Sequence, residues 1–541
     1  MNNAEVIKRI LNKIFEEGNS VIDFSKIEED KNLEEYGMDS LYMIKFLVEI
    51  EGTFDVEIDE ESLIFENFNT ISKIVKYIER IENENKTKNE ENPILLGKVR
   101  RMENDALITG HLGDVEKISL KEYYILKSMT GFSDINQIAM ENSCTSEDVH
   151  KVYSRFYKKE KMVSSLKEWN TLGWCKCCNT YVSGNVCGIC GNEIKKIIFA
   201  PPCDPFICFD EERRYIIKRL KQVGINLDKD SLLIANNGCD ENKFFWEVAY
   251  SGEIILRIDF CDVDEASWRL NLLCTKEKIN RLVLSKWNLN QQEQMIRANQ
   301  NRQKILFDKA EVFIKECSEF MKTKPLIYFS GGKESIVMLS LFSEVNVPAN
   351  VVTVATGVDF PDDAEFTKNV REEIDAKGLF EFYYYEDDER KVLDTLREKK
   401  VLSANDPWCR VDFKRKLKTV ATEHIYGKET FVAAEGSRWY ENDFRRRHTK
   451  VNYIKDYAQQ VWIHPIAEWT SFDVWLYIFA HKLPINPVYN KGFQRTTCWL
   501  CPIVNPFHLR CSRKYYKELW SKIPECKLEA FGEDKTKDLP F

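Results

Sequence analysis

Ser330-Gly331-Gly332-Lys333-Glu334-Ser335 puts two glycines, two hydroxyls and a cation into six residues, between the apolar runs Pro325–Phe329 and Ile336–Phe342. This order predicts a strand, a tight loop and a helix. Without a Cβ at Gly331 and Gly332, backbone N–H groups can close on phosphate oxygens in dihedrals that other residues resist. Ser330 and Ser335 add hydroxyl donors, and the positive end of the helix dipole favours an anion. The chemistry that this combination suits is the cradling of a pyrophosphate. Its spacing is not that of the GxxxxGK phosphate loop, and the plainer reading is a surface turn.

Seventeen cysteines form the second chemical feature. The sequence opens on no apolar signal segment and holds no apolar run near ~18 residues, which predicts a cytoplasmic protein with reduced thiols and no membrane association. Metal ligation then explains clustered thiols better than disulfides do. Cys175, Cys178, Cys187 and Cys190 form C-x2-C-x8-C-x2-C, with Gly184, Gly188 and Gly191 at the turns. Four thiolates in two facing knuckles suit a closed, tetrahedral, structural Zn2+ site. Cys177, inside the first knuckle, is a bystander or exchanges register with Cys175 or Cys178. The plain alternative is a loop with unrelated thiols.

Elements that must position these residues can be read further along. Val351–Ala355 and Phe431–Ala434 are strand candidates, and Asp362–Ala376 has a helical pattern. Strands alternating with helices predict an open, doubly wound, largely parallel α/β sheet. Ligands sit at the carboxyl ends of such strands, where Ser330, Thr356 and Glu435 fall.

The motifs, in this order, resemble a known family. Ser330–Ser335 resembles the SGGxDS loop of the adenine nucleotide α-hydrolase superfamily, with Glu334 where Asp is usual. Thr356-Gly357-Val358-Asp359-Phe360-Pro361 is similar to the TGxxFP segment of its phosphoadenosine phosphosulfate (PAPS) reductase branch. Glu435-Gly436-Ser437-Arg438, with Glu441 and Arg445, is similar to that branch's GxRxxE region, and Cys498-Trp499-Leu500-Cys501-Pro502 follows. The resemblance covers roughly Gln300–Lys514. It implies ATP bound at Ser330, Gly331, Gly332, Ser335, Thr356, Gly357 and Gly436 and cleaved between the α and β phosphates. Lys333 and Arg438 would stabilise phosphate charge, and Glu334 would contact Mg2+ directly or through water. Related enzymes carry an iron–sulfur cluster, which makes Cys409, Cys498, Cys501 and Cys511 candidate ligands of a 4Fe–4S cluster; zinc or no metal are the alternatives there. The basic clusters Lys414-Arg415-Lys416 and Arg445-Arg446-Arg447 either neutralise polyphosphate or are solvated faces.

The remaining chain reads as further domains. Residues 1–81 are helical by pattern, and Tyr36-Gly37-Met38-Asp39-Ser40-Leu41 resembles the DSL motif of acyl and peptidyl carrier proteins. That resemblance makes Ser40 the attachment point of 4'-phosphopantetheine; otherwise it is an N-cap on a four-helix bundle. Residues 82–92 read as a flexible tether. Residues 100–168 show three helical stretches, capped by Ser119, Ser133 and Thr145, and resemble a small winged-helix unit for packing or carrier docking rather than DNA. Residues 170–195 form the expected zinc ribbon. Residues 200–290 form a small α+β module that resembles the PUA-like module of archaeal-type PAPS reductase-like proteins. Residues 300–515 are the nucleotide domain, and 516–541 a C-terminal tail. The net charge of −9 speaks against wholesale nucleic-acid binding.

Together these readings predict an ATP-dependent, AMP-forming sulfurtransferase. It would adenylate a carbonyl of a carrier-bound substrate and insert sulfur from a cluster-bound sulfide or a cysteine persulfide, giving a thioamide or thioacid. Its partners would be a phosphopantetheinyl transferase, an acyl- or aminoacyl-loading enzyme and a sulfur donor such as a cysteine desulfurase. Three rivals stand beside it: a sulfonucleotide reductase, RNA thiolation through the PUA-like segment, and a non-enzymatic carrier-docking scaffold. The reductase reading needs a C-terminal ECG-type cysteine, and the tail offers Glu525-Cys526-Lys527 instead.

Overall fold

The computed structural model describes residues 3–17, 22–54, 68–78, 91–157, 159, 162–240, 243–261, 265–283, 290–319, 323–375, 377–399, 401–403, 408–453, 459–496, 498–501, 504–523 and 527–529. Most of the expected tether, and Cys526, lie outside them. The chain divides into two compact units, residues 1–91 with 275–281 and residues 92–274 with 282–541.

The described part of residues 1–78 is helical. Helix Asn3–Glu17 lays Ile7, Leu11 and Ile14 on one buried face, as their spacing predicts, against Phe24, Leu33, Phe46, Ile50 and Ile71. Gly37 adopts φ +90° and ends the short 3-10 turn Leu33–Tyr36. Helix Ser40–Phe54 then starts at Ser40, and Asp39 caps it, Oδ1 accepting from the Tyr42 N–H at 2.8 Å. The side chains of Ser40, Leu41, Ile44 and Val48 lie outside the described set.

The second unit begins with strand Pro93–Leu95, which pairs with Val163–Ser165. Between them lie a three-stranded antiparallel sheet, Lys98–Arg101, Ala106–Thr109 and Val115–Ile118, and three helices, Leu120–Ser128, Ile135–Glu141 and Ser146–Phe156. All three helices start with a capping box, at Ser119, Asp134 and Thr145. The second cap falls at Asp134 instead of Ser133, and all three strands precede the helices.

A three-stranded ribbon of Leu172–Cys175, Thr180–Ser183 and Lys195–Lys196 follows. Helix Asp210–Gln222 then joins a five-stranded antiparallel sheet in the order Arg269–Leu272, Glu253–Phe260, Lys243–Tyr250, Ile234–Asp240, Phe206–Ile207. These strands are neighbours in sequence as well as in space, so the sheet is an open meander.

The nucleotide-type domain is built on six strands in the order Phe380–Glu386, Ala349–Ala355, Leu326–Tyr328, Phe431–Ala434, Gln460–Ile463, Val451–Tyr453. All pair in parallel except the last, an antiparallel edge strand. Ala349–Ala355 and Phe431–Ala434 read as continuous apolar runs because helices cover both faces of a parallel sheet. Helix Lys333–Glu344 is buried almost all round, through Ile336, Val337, Met338, Leu339, Leu341 and Phe342.

Asn299, 1% exposed, welds the cysteine ribbon to this domain. Its Oδ1 accepts from the Ser183 N–H at 2.6 Å, and its Nδ2 donates to Tyr181 O and Met295 O at 3.0 and 2.7 Å. Asn299→Ala leaves the buried Ser183 N–H without an acceptor, which costs about 1–3 kcal/mol. Calorimetry of the full chain should show the transition of the second unit lowered; an unchanged transition would mean that the weld is not needed for stability.

Candidate functional site

Parallel strands leave Leu326–Tyr328 in both directions, towards Ala349–Ala355 on one side and Phe431–Ala434 on the other, with Ile327 opposite Ala434. The crevice at such a switch point is where α/β sheets bind ligands. The Ser330 loop and Glu435-Gly436 meet there: a Cβ on Gly436 would stand 2.7 Å from Glu334 Cβ. Gly331 sits at φ +72°, in the left-handed region that glycine tolerates. A side chain on Gly332 would come within 2.8 Å of Thr496 Oγ1.

The loop's own polar groups are largely committed to the protein. Ser335 Oγ donates to Gly332 O at 2.8 Å, and Ser330 Oγ accepts from the Gly332 N–H at 3.4 Å. The Lys333 N–H donates to the Tyr489 hydroxyl at 2.7 Å, and Asn486 Nδ2 donates to Gly331 O at 3.2 Å. Lys333 is 6% exposed; its Nζ donates to Gln494 O at 2.9 Å and pairs with Glu334 Oε1 at 2.8 Å.

Arg438 corrects the role implied for it. At 2% exposure, its Nη1 and Nη2 bind the two oxygens of Asp204 at 2.8 and 3.0 Å. Nε and Nη2 donate to Glu334 Oε1 at 3.2 and 2.9 Å, and Nη1 reaches Trp469 O at 3.4 Å. A guanidinium has five N–H groups, and all five have protein acceptors, so none is left to donate to a phosphate. Burial works to raise the Glu334 pKa, but the charges of Lys333 and Arg438 outweigh it and hold the carboxyl at about 2. With Oε1 occupied in this way, any magnesium contact by Glu334 would fall to its other oxygen.

Cationic groups less committed than Arg438 stand around Glu435. Lys418 Nζ lies 3.9 Å from the ring centre of Tyr328 and 5.3 Å from that of Trp462. Burial lowers its pKa to about 8 against the pull of Glu435. Glu435, which burial would raise, is brought down to about 2 by Lys418, Arg445 and His464. Lys418 escaped the motif reading, yet it lies one helical turn beyond Lys414, the i, i+4 spacing that could have disclosed it. Of the second basic cluster, Arg446 is spent on Leu95 O at 3.0 Å and on Asp443 at 2.9 Å. Arg445 pairs with Glu441 and acts electrostatically on Glu435.

Thr356 closes its own turn, the N–H and Oγ1 donating to Asp359 Oδ2 at 2.5 and 3.0 Å. Gly357 is required there, because a Cβ would stand 2.6 Å from Glu389 N. The CxxC knuckle is stitched to this turn. The Trp499 N–H donates to Val358 O at 3.1 Å, and Cys498 Sγ lies 3.4 Å from Thr356 Oγ1 and 3.8 Å from Asp359 Oδ1. Cys409 precedes a π-helical turn, Arg410–Arg415, of the kind that often marks functional sites. Burial pushes its thiol up to about 11, and Cys501 adds to the shift, so these two thiols are electrostatic neighbours.

Cys511 does not join them. It is buried on helix Pro506–Tyr515 with its Sγ 2.9 Å from where a Gly492 Cβ would stand, and the charged groups acting on it are Arg510, Glu211, Glu212 and Lys514. The four-thiolate set expected for a 4Fe–4S cluster is therefore not assembled by these residues. Of the four expected cysteines, Cys498 lies against the Thr356 turn, Cys409 and Cys501 act on each other, and Cys511 is buried elsewhere.

Cys175, Cys178, Cys187 and Cys190 do converge, their sulfurs all within 4.8 Å of one another, as the one such group among the described residues. Cys175 Sγ stands 3.5 Å from Cys190 Sγ. The Gly188 N–H donates to Ala298 O at 2.8 Å, and Gln294 Nε2 donates to Cys178 O at 2.5 Å, so both knuckles are fixed by the helix beside them. Four buried or half-buried thiols in one cluster could hold a metal ion, and the donor set fits tetrahedral zinc.

Residues 324–504 match the phosphoadenosine phosphosulfate reductase domain, and residues 7–78 the phosphopantetheine attachment site. The chain thus carries a PAPS reductase domain and an N-terminal phosphopantetheine attachment domain. It is 22% identical to "Uncharacterized protein MJ0066" of Methanocaldococcus jannaschii over 442 residues, 65% of this chain and 90% of the relative. It is 30% identical to "Uncharacterized protein MJ0973" of the same organism over 268 residues, 48% of this chain and 61% of the relative. It is 28% identical to adenosine 5'-phosphosulfate reductase of Bacillus cereus over 181 residues, 32% of this chain and 71% of the relative. Among the described residues, no helix is long and apolar enough to cross a membrane.

Two measurements test the site. One zinc per chain should co-purify, and Cys187→Ser should release it; a structural zinc contributes roughly 10–16 kcal/mol to folding of a small site, so the 170–195 ribbon should become protease-sensitive. Zinc retained by the variant would place the ion elsewhere. Lys418 should gain reactivity towards an acylating reagent with a midpoint near pH 8, since its lowered pKa makes the amine neutral there while ordinary lysines stay protonated to above 10. A midpoint above pH 10 by mass spectrometry would remove the depressed lysine.

Proposed function

We propose that the chain is an ATP-dependent sulfurtransferase whose substrate is carried as a thioester on a phosphopantetheine arm at Ser40. The observation that carries the reading is the placement of Cys498 against the Thr356 turn, at the edge of a nucleotide-type crevice in a chain that also has a carrier domain. A glycine loop alone fits many nucleotide enzymes; a cysteine pair beside it supplies a nucleophile.

The chemistry balances as follows. A carbonyl oxygen of the substrate attacks the α-phosphorus of ATP and pyrophosphate leaves, which turns a poor electrophile into one with AMP as leaving group. The outer sulfur of a persulfide on Cys498 or Cys501 attacks the activated carbon, and AMP departs with the substrate oxygen. The neighbouring thiol of the CxxC pair then attacks the S–S bond, releasing the thioamide or thioacid and leaving a disulfide that a dithiol reductant reopens. The loop amides near Gly331 and Gly332, with Lys414, Lys418 and Arg445 as the nearby cations, would stabilise charge developing on phosphate. Magnesium, when bound, would neutralise the triphosphate. Zinc at the four-cysteine ribbon would be structural. A phosphopantetheinyl transferase, a loading enzyme and a desulfurase-type donor are the implied partners.

The second reading is a sulfonucleotide reductase, favoured by the 28% identity to an adenosine 5'-phosphosulfate reductase. The two differ in products. The sulfurtransferase reading expects AMP and pyrophosphate from ATP, 18O from the substrate carbonyl in AMP, and one phosphopantetheine by intact mass that is lost in Ser40→Ala. ADP formation, or sulfite released from a sulfonucleotide with no ATP consumed, would overturn it and promote the reductase.

A further inference from the structure

Lys333 and Glu334 are neighbours in the glycine loop, and each is tied to the α+β module by a separate chain of contacts. Asp204 grips Arg438 through both carboxylate oxygens, and Arg438 grips Glu334 Oε1. Asn237 Nδ2 donates to Gln494 Oε1 at 2.7 Å, and the main-chain oxygen of Gln494 receives Lys333 Nζ at 2.9 Å. The module residues at the ends of both chains are held by further hydrogen bonds. Asn237 Oδ1 accepts from Trp246 Nε1 at 2.7 Å, and Asp204 Oδ1 also accepts from the Ser471 N–H at 2.5 Å. Asp204 lies two residues before strand Phe206–Ile207, which pairs with the strand Ile234–Asp240 that carries Asn237. The Lys333–Glu334 ion pair closes the circuit at the loop.

We propose that Asp204 and Asn237 are positioning residues for the adenine-nucleotide reaction, setting Glu334 through Arg438 and Lys333 through Gln494, so that the module is a working part of the nucleotide site. The row Asp204, Arg438, Glu334, Lys333 alternates in charge, with Glu441 3.9 Å from Arg438 Nε beside it, so each buried ion has an opposite partner. Removing the Asp204 charge leaves Arg438 with Glu334 and the more distant Glu441, and the N–H group that loses its acceptor, buried at 2% exposure, draws the arginine towards other acceptors and takes Glu334 with it. The 204–438 contact spans two modules and fixes a side chain of the loop at a position where an error of ~1 Å can cost about 100-fold in rate.

This inference rests on the reading of the glycine loop as an ATP site, and the experiment separates the two. In the full chain, Asp204→Asn, Arg438→Met and the double variant are compared by hydrogen exchange of the Ser330–Leu341 amides without nucleotide, and by the kcat and KM of AMP formation. Asp204→Asn should speed exchange of that segment about 10-fold while Gln460–Ile463 is unchanged, and lower kcat about 100-fold with KM within about 3-fold. In the Arg438→Met background its effect on both should shrink below about 2-fold, because the path is already cut. Asn237→Ala, which spares the row of ion pairs, should speed exchange of the same segment and serves if Arg438→Met does not fold. Equal effects of Asp204→Asn in both backgrounds, or exchange like that of the wild type, would overturn the proposal. Absence of AMP formation by the wild-type chain would instead sink the ATP reading and leave the exchange measurement to decide this one.

Discussion

A guanidinium with no water must have acceptors for every N–H, and the arrangement of the cleft follows from how Arg438 meets that demand. Its five donors draw together Asp204 from the α+β module, Glu334 from the glycine loop and Trp469 from the segment before helix Ser471–Ala480. Removing one partner of such a buried set costs about 3–5 kcal/mol, more than most surface changes could. The loop, the module and the helix start are thereby fixed to one another, and a residue that looked like a substrate contact becomes the joint of the site.

The segment between Asn486 and Thr496 has the complementary task of covering the loop. Asn486, Tyr489, Gln494 and Thr496 each bond to a loop residue, through side chain or main chain. A phosphate entering this loop must exchange some of those partners for its own oxygens. That exchange is close to neutral where one acceptor replaces another, but it demands that the cover shift, because a Gly332 Cβ alone would already be too large for the gap to Thr496. Gly331 at positive φ and Gly332 in close approach thus both make room for the cover.

Much of this was legible locally and little of it at long range. Strand Phe431–Ala434, the loop, the caps Ser119 and Thr145 and the paired cysteine knuckles all follow from residue type and spacing within a dozen positions. Asp204 was invisible, since nothing near Pro201-Pro202-Cys203 marks a partner 234 positions away. Cys511 misled for the same reason. Its distance of ten residues from Cys501 suits a ligand, yet Asn505 caps a helix whose buried face carries Cys511 beneath Gly492. Arg438 was located correctly by its motif, but motif spacing states where a cation is and not what it is spent on.

The exchange of Asp for Glu at position 334 now has a physical frame. A side chain one methylene longer places its carboxylate within reach of both Lys333 and Arg438, and its Cβ already lies where any residue but glycine at 436 would collide. Glu334, Gly436, Arg438 and Asp204 are therefore a single steric and electrostatic solution. Shortening Glu334 to Asp would withdraw the acceptor that two Arg438 N–H groups share, and leave Asp204, the Trp469 carbonyl and the more distant Glu441 to hold the arginine. Glu334 and the Asp204 carboxylate of a different module share one arginine, so the setting of either is visible only when the nucleotide-type domain is taken together with the sheet that precedes it.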